Sequence, residues 1–555
     1  MSGRNKSVEN IAGFVDSMAS VVPYQKAVIF PQGQKNSRHC YSHVTYAQLK
    51  GETDALAFQL RSYGIDKGTK VALMVTPSID FFVLTFSLFK IGSIPIFIDP
   101  GIGLKALKTC LREAQPNAFI GIPKAQIARI LFGWERGRLD HIVTVGSFGW
   151  GGTTLAKIKS GSKASTLKPT IASDKAAILF TSGSTGIPKG ALYHHSNFMA
   201  QIDLFKKAYQ IMPGEVDLCT FPLFALFAPA LGMTAVIPTM DFTKPAKVNP
   251  GHIFRAIDDF GVHNLFGSPA LLNRLSQELQ LNPRTFPSIK RIISAGAPVP
   301  HKVLAALKPC LNRDADLYTP YGATESLPIC SISATEILEQ TTDKTKTGSG
   351  ICVGRPLDQV KIKIIRITDD PIASWSDHYE LKPGEIGEII VSGPQVTTSY
   401  YNRPIANKQY KIFDPIEGNT WHRMGDLGYL DQKGRLWFCG RKAHRVRTTQ
   451  GDMYTIKCES IFNQHAGVKR TALVGVGPQK HEKPVLCVES NGKLAKGQWP
   501  KLRADLLTTA KSNPETASIE KVLLHKEFPV DIRHNSKIFR EKLKVWAEKE
   551  LGHGG

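Results

Sequence analysis

No two cysteines in this chain have the two-residue spacing of a zinc or thiol-redox motif. The nine stand apart at 40, 110, 219, 310, 330, 352, 439, 458 and 487. An odd, scattered set argues against a disulfide framework and fits a reducing compartment. The start, Met1-Ser-Gly-Arg-Asn-Lys6, lacks the apolar core of a secretory signal, so a cytoplasmic protein is expected. Internal repeats, aromatic RNA-binding signatures and basic zippers are absent. Acidic residues are few, 47 against 70 lysines and arginines, which leaves a net charge of +23. The basic residues run along the whole length rather than in an arm or stripe. A solvated basic surface is therefore the first reading, attraction to an anionic membrane surface the second, and no nucleic-acid partner is expected. One uncharged run, between Asp217 and Asp241, is long enough to span a bilayer. Pro222, Pro229, Gly232 and Pro238 interrupt it, so a buried strand, loop and helix beside an apolar pocket is expected instead.

What the chain has is size and alternation. At 555 residues it exceeds one core, and two or more domains are expected. Lys70–Val75 reads as a buried strand, 79–90 as a helix and 94–98 as a second strand, the order of a parallel βαβ unit. Further strands are expected at 117–122, 141–145, 176–180, 264–267 and 291–294, giving an α/β fold with more than one sheet. After about Gly350 the strands shorten (360–365, 388–391, 435–438) between glycine-containing turns, as in a β subdomain. A boundary at Gly440-Arg-Lys-Ala443 separates 1–439 from a smaller C-terminal domain, 440–555.

Thr181-Ser-Gly-Ser-Thr-Gly-Ile-Pro-Lys-Gly190 carries the most chemistry. Glycines let backbone approach anionic oxygens, hydroxyls donate hydrogen bonds and Lys189 adds a point charge, which suits polyphosphate. Pro188 before the lysine and Gly190 after it exclude a Walker A loop. The alternative is a flexible Ser/Gly linker, but linkers seldom follow a buried strand directly. Four other clusters follow in order. Ser294-Ala-Gly-Ala-Pro298 offers small residues to a flat ring. Tyr318-Thr-Pro-Tyr-Gly-Ala-Thr-Glu325 supplies an aromatic, a hydroxyl and a carboxylate at Tyr321, Thr324 and Glu325. Arg423-Met-Gly-Asp-Leu-Gly428 offers Asp426 to ribose hydroxyls, and Lys537 sits in a basic turn. Each alone has a structural alternative: a strand-to-helix turn, a helix-cap partner, a turn aspartate, a surface lysine.

Together, in this order, the motifs resemble the adenylate-forming superfamily of acyl-CoA synthetases, luciferases and peptide-synthetase adenylation domains, from about Thr45 to Lys537. The resemblance implies a large N-terminal domain of stacked sheets with flanking helices and a β subdomain, closed by a small α+β lid. It implies ATP and Mg²⁺ as cofactors. Thr181, Ser182, Gly183, Ser184, Thr185, Gly186 and Lys189 would hold the β- and γ-phosphates. Gly296, Ala297 and Pro298 would line the adenine, with Tyr321 and Gly322 against it. Thr324 would touch the α-phosphate, Glu325 would bind the metal, Asp426 and Arg441 would fix the ribose, and Lys537 would bridge the reacting carboxylate and α-phosphate.

Two departures narrow the reading. Ala225 replaces a histidine that many acyl-CoA synthetases carry after Pro-Leu-Phe, and Ala443 replaces the hinge aspartate. The loop after the hinge, Val446-Arg-Thr-Thr-Gln-Gly451, is one residue longer than the family's, which places thioester formation in doubt. These features resemble the branch that makes β-lactones in bacterial long-chain olefin biosynthesis. That branch activates a 2-alkyl-3-hydroxy fatty acid and lets its own hydroxyl close the ring, where proximity replaces a second bound substrate. Phe221, Phe224, Ala225, Phe227 and Leu231 would then wall the alkyl chains, core packing being the alternative. A fatty acyl-CoA or acyl-AMP ligase is the other reading. The expected partners are the long-chain β-hydroxy acid, enzymes of the same pathway and an anionic surface peripheral to the inner membrane.

Overall fold

The computed structural model describes residues 9–35, 38–162, 166–181, 188–492, 494, 497–530 and 538–552. Apolar runs become strands where both faces find cover. In an eight-stranded sheet the order is 399–400, 189–194, 175–181, 94–98, 70–74, 118–121, 141–144 and 153–154. Its centre is parallel, as the βαβ reading requires, with Val71 opposite Pro95 and Ala118. The helix Ile79–Ile91 crosses over between two of these strands. Ser78 caps its start, Gly92 ends it, and ten of its residues are buried on all sides. A helix apolar all round needs core on every face, and the two large sheets provide it. The preceding helix, Tyr46–Tyr63, starts at a capping box between Thr45 and Gln48.

The second sheet has seven strands in the order 316–318, 291–293, 264–266, 216–219, 234–236, 26–35 and 38–45. Pairings along it are parallel up to the last, antiparallel pair. The uncharged 217–241 run is divided among the strand Val216–Cys219, two one-turn helices (Pro222–Ala225, Phe227–Ala230) and the strand Thr234–Val236. Among the described residues no helix is long and apolar enough to cross a membrane.

A third, mostly antiparallel sheet of eight strands lies between Tyr321 and Arg441. A buried ion pair sits within it. Arg423 Nη2 is 2.6 Å from Glu388 Oε2, and Lys442 Nζ lies 3.0 Å from the same oxygen. Removing one member of such a pair leaves a buried charge alone and costs about 3–5 kcal/mol. Beyond it, strands 468–476, 483–490 and 521–524 form a three-stranded sheet with helices 455–462, 498–511 and 540–552.

The expected boundary at 440 falls inside the strand Leu436–Arg441. Gly440, at φ +135°, packs where a Cβ would meet Thr455 Oγ1 at 2.6 Å, so a side chain there would push the helix 455–462 away. Past a 3₁₀ turn at Lys442–His444, the strands 446–448 and 451–453 pair as a tight hairpin with Thr448 opposite Gly451. The lengthened 446–451 motif is therefore two strand ends and the two-residue turn at 449–450.

Candidate active site

Lys189 belongs to a strand, not to the end of a loop. The strand Lys189–His194 pairs antiparallel with Lys175–Thr181, Thr181 opposite Lys189, and the helix His195–Ala208 follows it. The two strands that flank residues 182–187 thus pair as a hairpin. Ser182, Gly183, Ser184, Thr185 and Gly186 lie outside the described residues, as does Lys537 and the side chain of Thr181. Gly190 is where the hairpin is tightest: a Cβ there would stand 2.7 Å from both Phe180 and Ile178.

At the hairpin's base Lys189 Nζ lies 3.8 Å from the centre of the Tyr410 ring and 5.4 Å from that of Tyr400. Tyr400 donates to Glu325 Oε1 at 2.5 Å. Burial and the Glu325 charge push the Tyr400 phenol well above its ordinary pKa, so it stays a donor. The backbone carbonyl of Glu325 accepts from the Thr397 amide at 2.9 Å and its hydroxyl at 3.2 Å. Lys411 in turn donates to the Thr397 carbonyl and hydroxyl, and burial lowers this lysine to about 7. The Tyr193 hydroxyl holds the carbonyl of Thr324. Glu325 thus feels the charge of Arg441 and of the partly neutral Lys411, with Lys189 over the tyrosine rings, one hard oxygen ligand among basic groups.

On the adjoining strands Tyr321 donates to Asp426 Oδ2 at 2.6 Å, while Arg441 Nη1 lies 2.7 Å from Asp426 Oδ1. Asp426 is opposite Arg441 in the pairing of strands 419–430 and 436–441. Both carboxylate oxygens are thus engaged, which fixes the group while leaving further lone pairs to accept hydroxyls. Gly425, at φ +65°, kinks the strand just before it. Gly322 stands where a Cβ would meet the Ser326 carbonyl at 2.6 Å. Gly296 is exposed at φ +94°, beside half-buried Ala297 and exposed Pro298, in the turn that follows the strand 291–293.

The aromatic run forms a cluster. Phe224 stacks on Phe266 with centroids 4.2 Å apart, and Phe221 and Phe227 tilt against Phe224 at 5.6 and 6.0 Å. These three rings are half-buried, whereas Ala225 and Leu231 are 1% and 6% exposed and belong to the core. Ala443 is exposed in the turn after Arg441.

The residues foreseen at 321–325, 426 and 441 therefore come together, with Lys189 next to them. Tyr400, Tyr410 and Lys411 were missed. Their only signal was a run of tyrosines and lysines, with no spacing that marks chemistry before the chain folds.

An oxygen-only site also fits the metal expectation. Among the described residues no three His, Cys, Asp or Glu side chains cluster as a metal cage. Mg²⁺ is commonly held by one or two carboxylates, water and substrate phosphates, and Glu325 supplies such a carboxylate.

The AMP-binding enzyme family matches residues 19–401. The chain is 46% identical over 556 residues to the olefin beta-lactone synthetase of Xanthomonas campestris pv. campestris, covering 99% of both chains. It is 48% identical over 553 residues to that of Stenotrophomonas maltophilia, covering 98% of both. Its fold is similar to O-succinylbenzoate coenzyme A synthetase of Bacillus subtilis, solved in complex with ATP and magnesium ion. That match has a TM-score of 0.73 and 21% identity, covering 96% of this chain and 99% of the other.

Proposed function

The chain belongs to the AMP-binding enzyme family, and from that membership we propose that it is an ATP-dependent synthetase that turns a long-chain 2-alkyl-3-hydroxy fatty acid into a β-lactone. The likeness to two olefin beta-lactone synthetases over nearly the whole length of each chain carries this reading. An acyl-CoA ligase is less well supported: the related coenzyme A ligases match at only about a quarter identity.

The chemistry in this reading follows from charge. A carboxylate must approach the anionic α-phosphate of ATP, so the repulsion has to be offset in place. Lys189 and the 181–186 hydroxyls and amides would hold the outer phosphates. Tyr321 would stack on adenine lined by Gly296, Ala297 and Pro298, and Asp426, held by Tyr321 and Arg441, would accept the ribose hydroxyls. Glu325 would hold Mg²⁺, which when bound neutralises phosphate charge. Lys537, brought in by residues 440–555 acting as a lid over 1–439, would bridge carboxylate and α-phosphate. Pyrophosphate leaves first. The 3-hydroxyl oxygen then bonds to the acyl carbon, its proton passes to solvent, and the acyl–phosphate bond breaks to release AMP as the four-membered ring closes. Phe221, Phe224 and Phe227 would wall the alkyl chains, backed by Ala225 and Leu231.

Incubated with magnesium, ATP and a 2-alkyl-3-hydroxy acid, without coenzyme A, the protein should release AMP and a β-lactone. A thioester formed only on adding coenzyme A, with no lactone, overturns the reading. Lys537→Ala should lower adenylate formation by about 10²–10³-fold while ATP still binds; unchanged turnover assigns the role to another group. Such a water-insoluble acid has to be delivered, by a neighbouring enzyme or from a membrane surface, and the charge of +23 favours an anionic source.

A further inference from the structure

The helix Pro123–Leu131 and the two turns beside it leave large apolar side chains in solvent on the flank of the eight-stranded sheet. Gln126 is the helix's one buried residue. Ile130 is 53% exposed, Leu131 74%, Phe132 41% and Phe148 66%. The segments are tied into one face. Arg129 Nη2 donates to the Trp150 carbonyl at 2.8 Å, Phe148 packs edge-on against Trp150, and Lys108 Nζ reaches the Phe132 carbonyl at 3.0 Å. Around these apolar groups positive charge predominates. Lys105, Lys108, Arg112, Lys124, Arg136 and Arg138 are exposed, and Asp140 alone among the carboxylates of residues 104–140 is.

A half-open cavity of about 340 Å³ lies in the same face, its wall including Arg129, Ile130, Trp134, Glu135, Arg136 and Ile142, with Glu135 Oε2 3.8 Å from Arg138 Nη1. Trp134 is 3% exposed, and its indole N–H has no acceptor among the described residues. Arg129 is partly buried, and its hydrogen bonds go to neutral acceptors, Gln126 Oε1 and the Trp150 carbonyl. The cavity's one carboxylate, Glu135, faces Arg138, so the buried indole donor and the guanidinium groups of Arg129 and Arg136 make a place for an anionic, acceptor-rich group.

The geometry points to a docking face for an anionic phospholipid surface. Leu131, Phe132, Ile130 and Phe148 enter the acyl boundary, the surrounding lysines and arginines meet the headgroups, and a lipid phosphate sits against Arg129, Arg136 and the Trp134 N–H. The helix joins strands 118–121 and 141–144, four strand spacings or about 19 Å from the strand 189–194. Docking here leaves the Lys189–Glu325 site clear of the bilayer. The proposal takes its motive from the long-chain reading but its evidence from this face alone.

Full-length protein floated with vesicles tests it. Binding to 30% phosphatidylglycerol in phosphatidylcholine is expected, with little to phosphatidylcholine alone, falling about tenfold between 0.1 and 0.5 M salt. The L131E/F132E double variant should lose binding at both salts, and Arg129→Gln with Arg136→Gln should abolish the preference for the anionic lipid. Both should keep the wild-type melting temperature and the wild-type rate of pyrophosphate release on detergent-dispersed acid. Vesicle binding that survives L131E/F132E overturns the proposal. So does wild-type self-association that the same variant dissolves, which assigns the face to a second copy of this chain. Vesicle binding without lactone formation overturns the proposed function only, and lactone formation without vesicle binding overturns this face only.

Discussion

His195 is fully buried at the start of the helix His195–Ala208, edge-on to Phe89, with neither ring nitrogen bonded to any described residue. Burial lowers its pKa to about 4; the Asp174 carboxylate works against that shift, His194 and Lys67 with it. The folded state therefore holds a neutral ring that the unfolded chain protonates near its ordinary 6.5. Stability is lost as pH falls from 6.5 towards 4, by on the order of 3 kcal/mol in full. Asp217, which burial pushes up to about 7, gives the opposite slope over this whole range, so the difference between variant and wild type is what counts. Denaturant unfolding of His195→Leu at pH 5 and pH 7.5 should show the variant gaining stability relative to wild type at the lower pH. A constant difference would mean the ring is not held neutral. Asp426 shows the reverse condition at the same scale: a buried carboxylate with both oxygens partnered, one by Tyr321 and one by Arg441.

At the scale of elements, one strand serves both stability and the site. Arg423 anchors strand 419–430 through Glu388, and Asp426, three residues on, faces Tyr321 and Arg441. Gly425 makes the change of aim between them at φ +65°, and a Cβ there would touch nothing within 4 Å. Only backbone strain opposes a side chain, about 1–2 kcal/mol for a left-handed non-glycine residue. Gly425→Ala should lower the melting temperature modestly and weaken ATP binding, measured by calorimetry, by more than that loss of stability accounts for. Equal ATP affinity would show that the kink does not position Asp426. Sequence pattern made most of these elements legible. The strands at 70–74, 94–98, 118–121, 141–144 and 175–181 stand where apolar runs were read. The strand 189–194 did not, because Pro188-Lys-Gly190 has turn composition and only pairing with 175–181 makes it extended.

At the scale of the whole molecule, the chain just after residue 440 is tied to the β-rich part by charge as well as by packing. Asp369, on the β-rich part, lies 3.3 Å from Arg445 and 3.4 Å from Arg447. Partial burial would raise its pKa, and the cations Arg445, Lys442 and Arg447 hold it below the ordinary carboxylate range. An exposed cluster of this kind is worth little per pair, roughly 0.2–1 kcal/mol, and is screened by salt. Asp369→Ala should therefore speed tryptic cleavage at Arg445 and Arg447 by roughly 1.5- to 5-fold at low salt and by less at 0.5 M. Cleavage unchanged at low salt would mean the hairpin 446–453 is held by other contacts.

The sequence by itself determined the kind of chemistry, because phosphate, adenine and metal each demand residue types that recur in a fixed order. It also determined the core strands, since a strand buried on both faces must be apolar throughout. Only the tertiary structure decided the company those residues keep. Tyr400 reaches Glu325, Lys411 is neutralised in part by burial, and Lys189 lies on Tyr410, all across some 75 to 220 positions of chain. No local pattern encodes such contacts, because they arise from sheet order and from the desolvation that packing imposes.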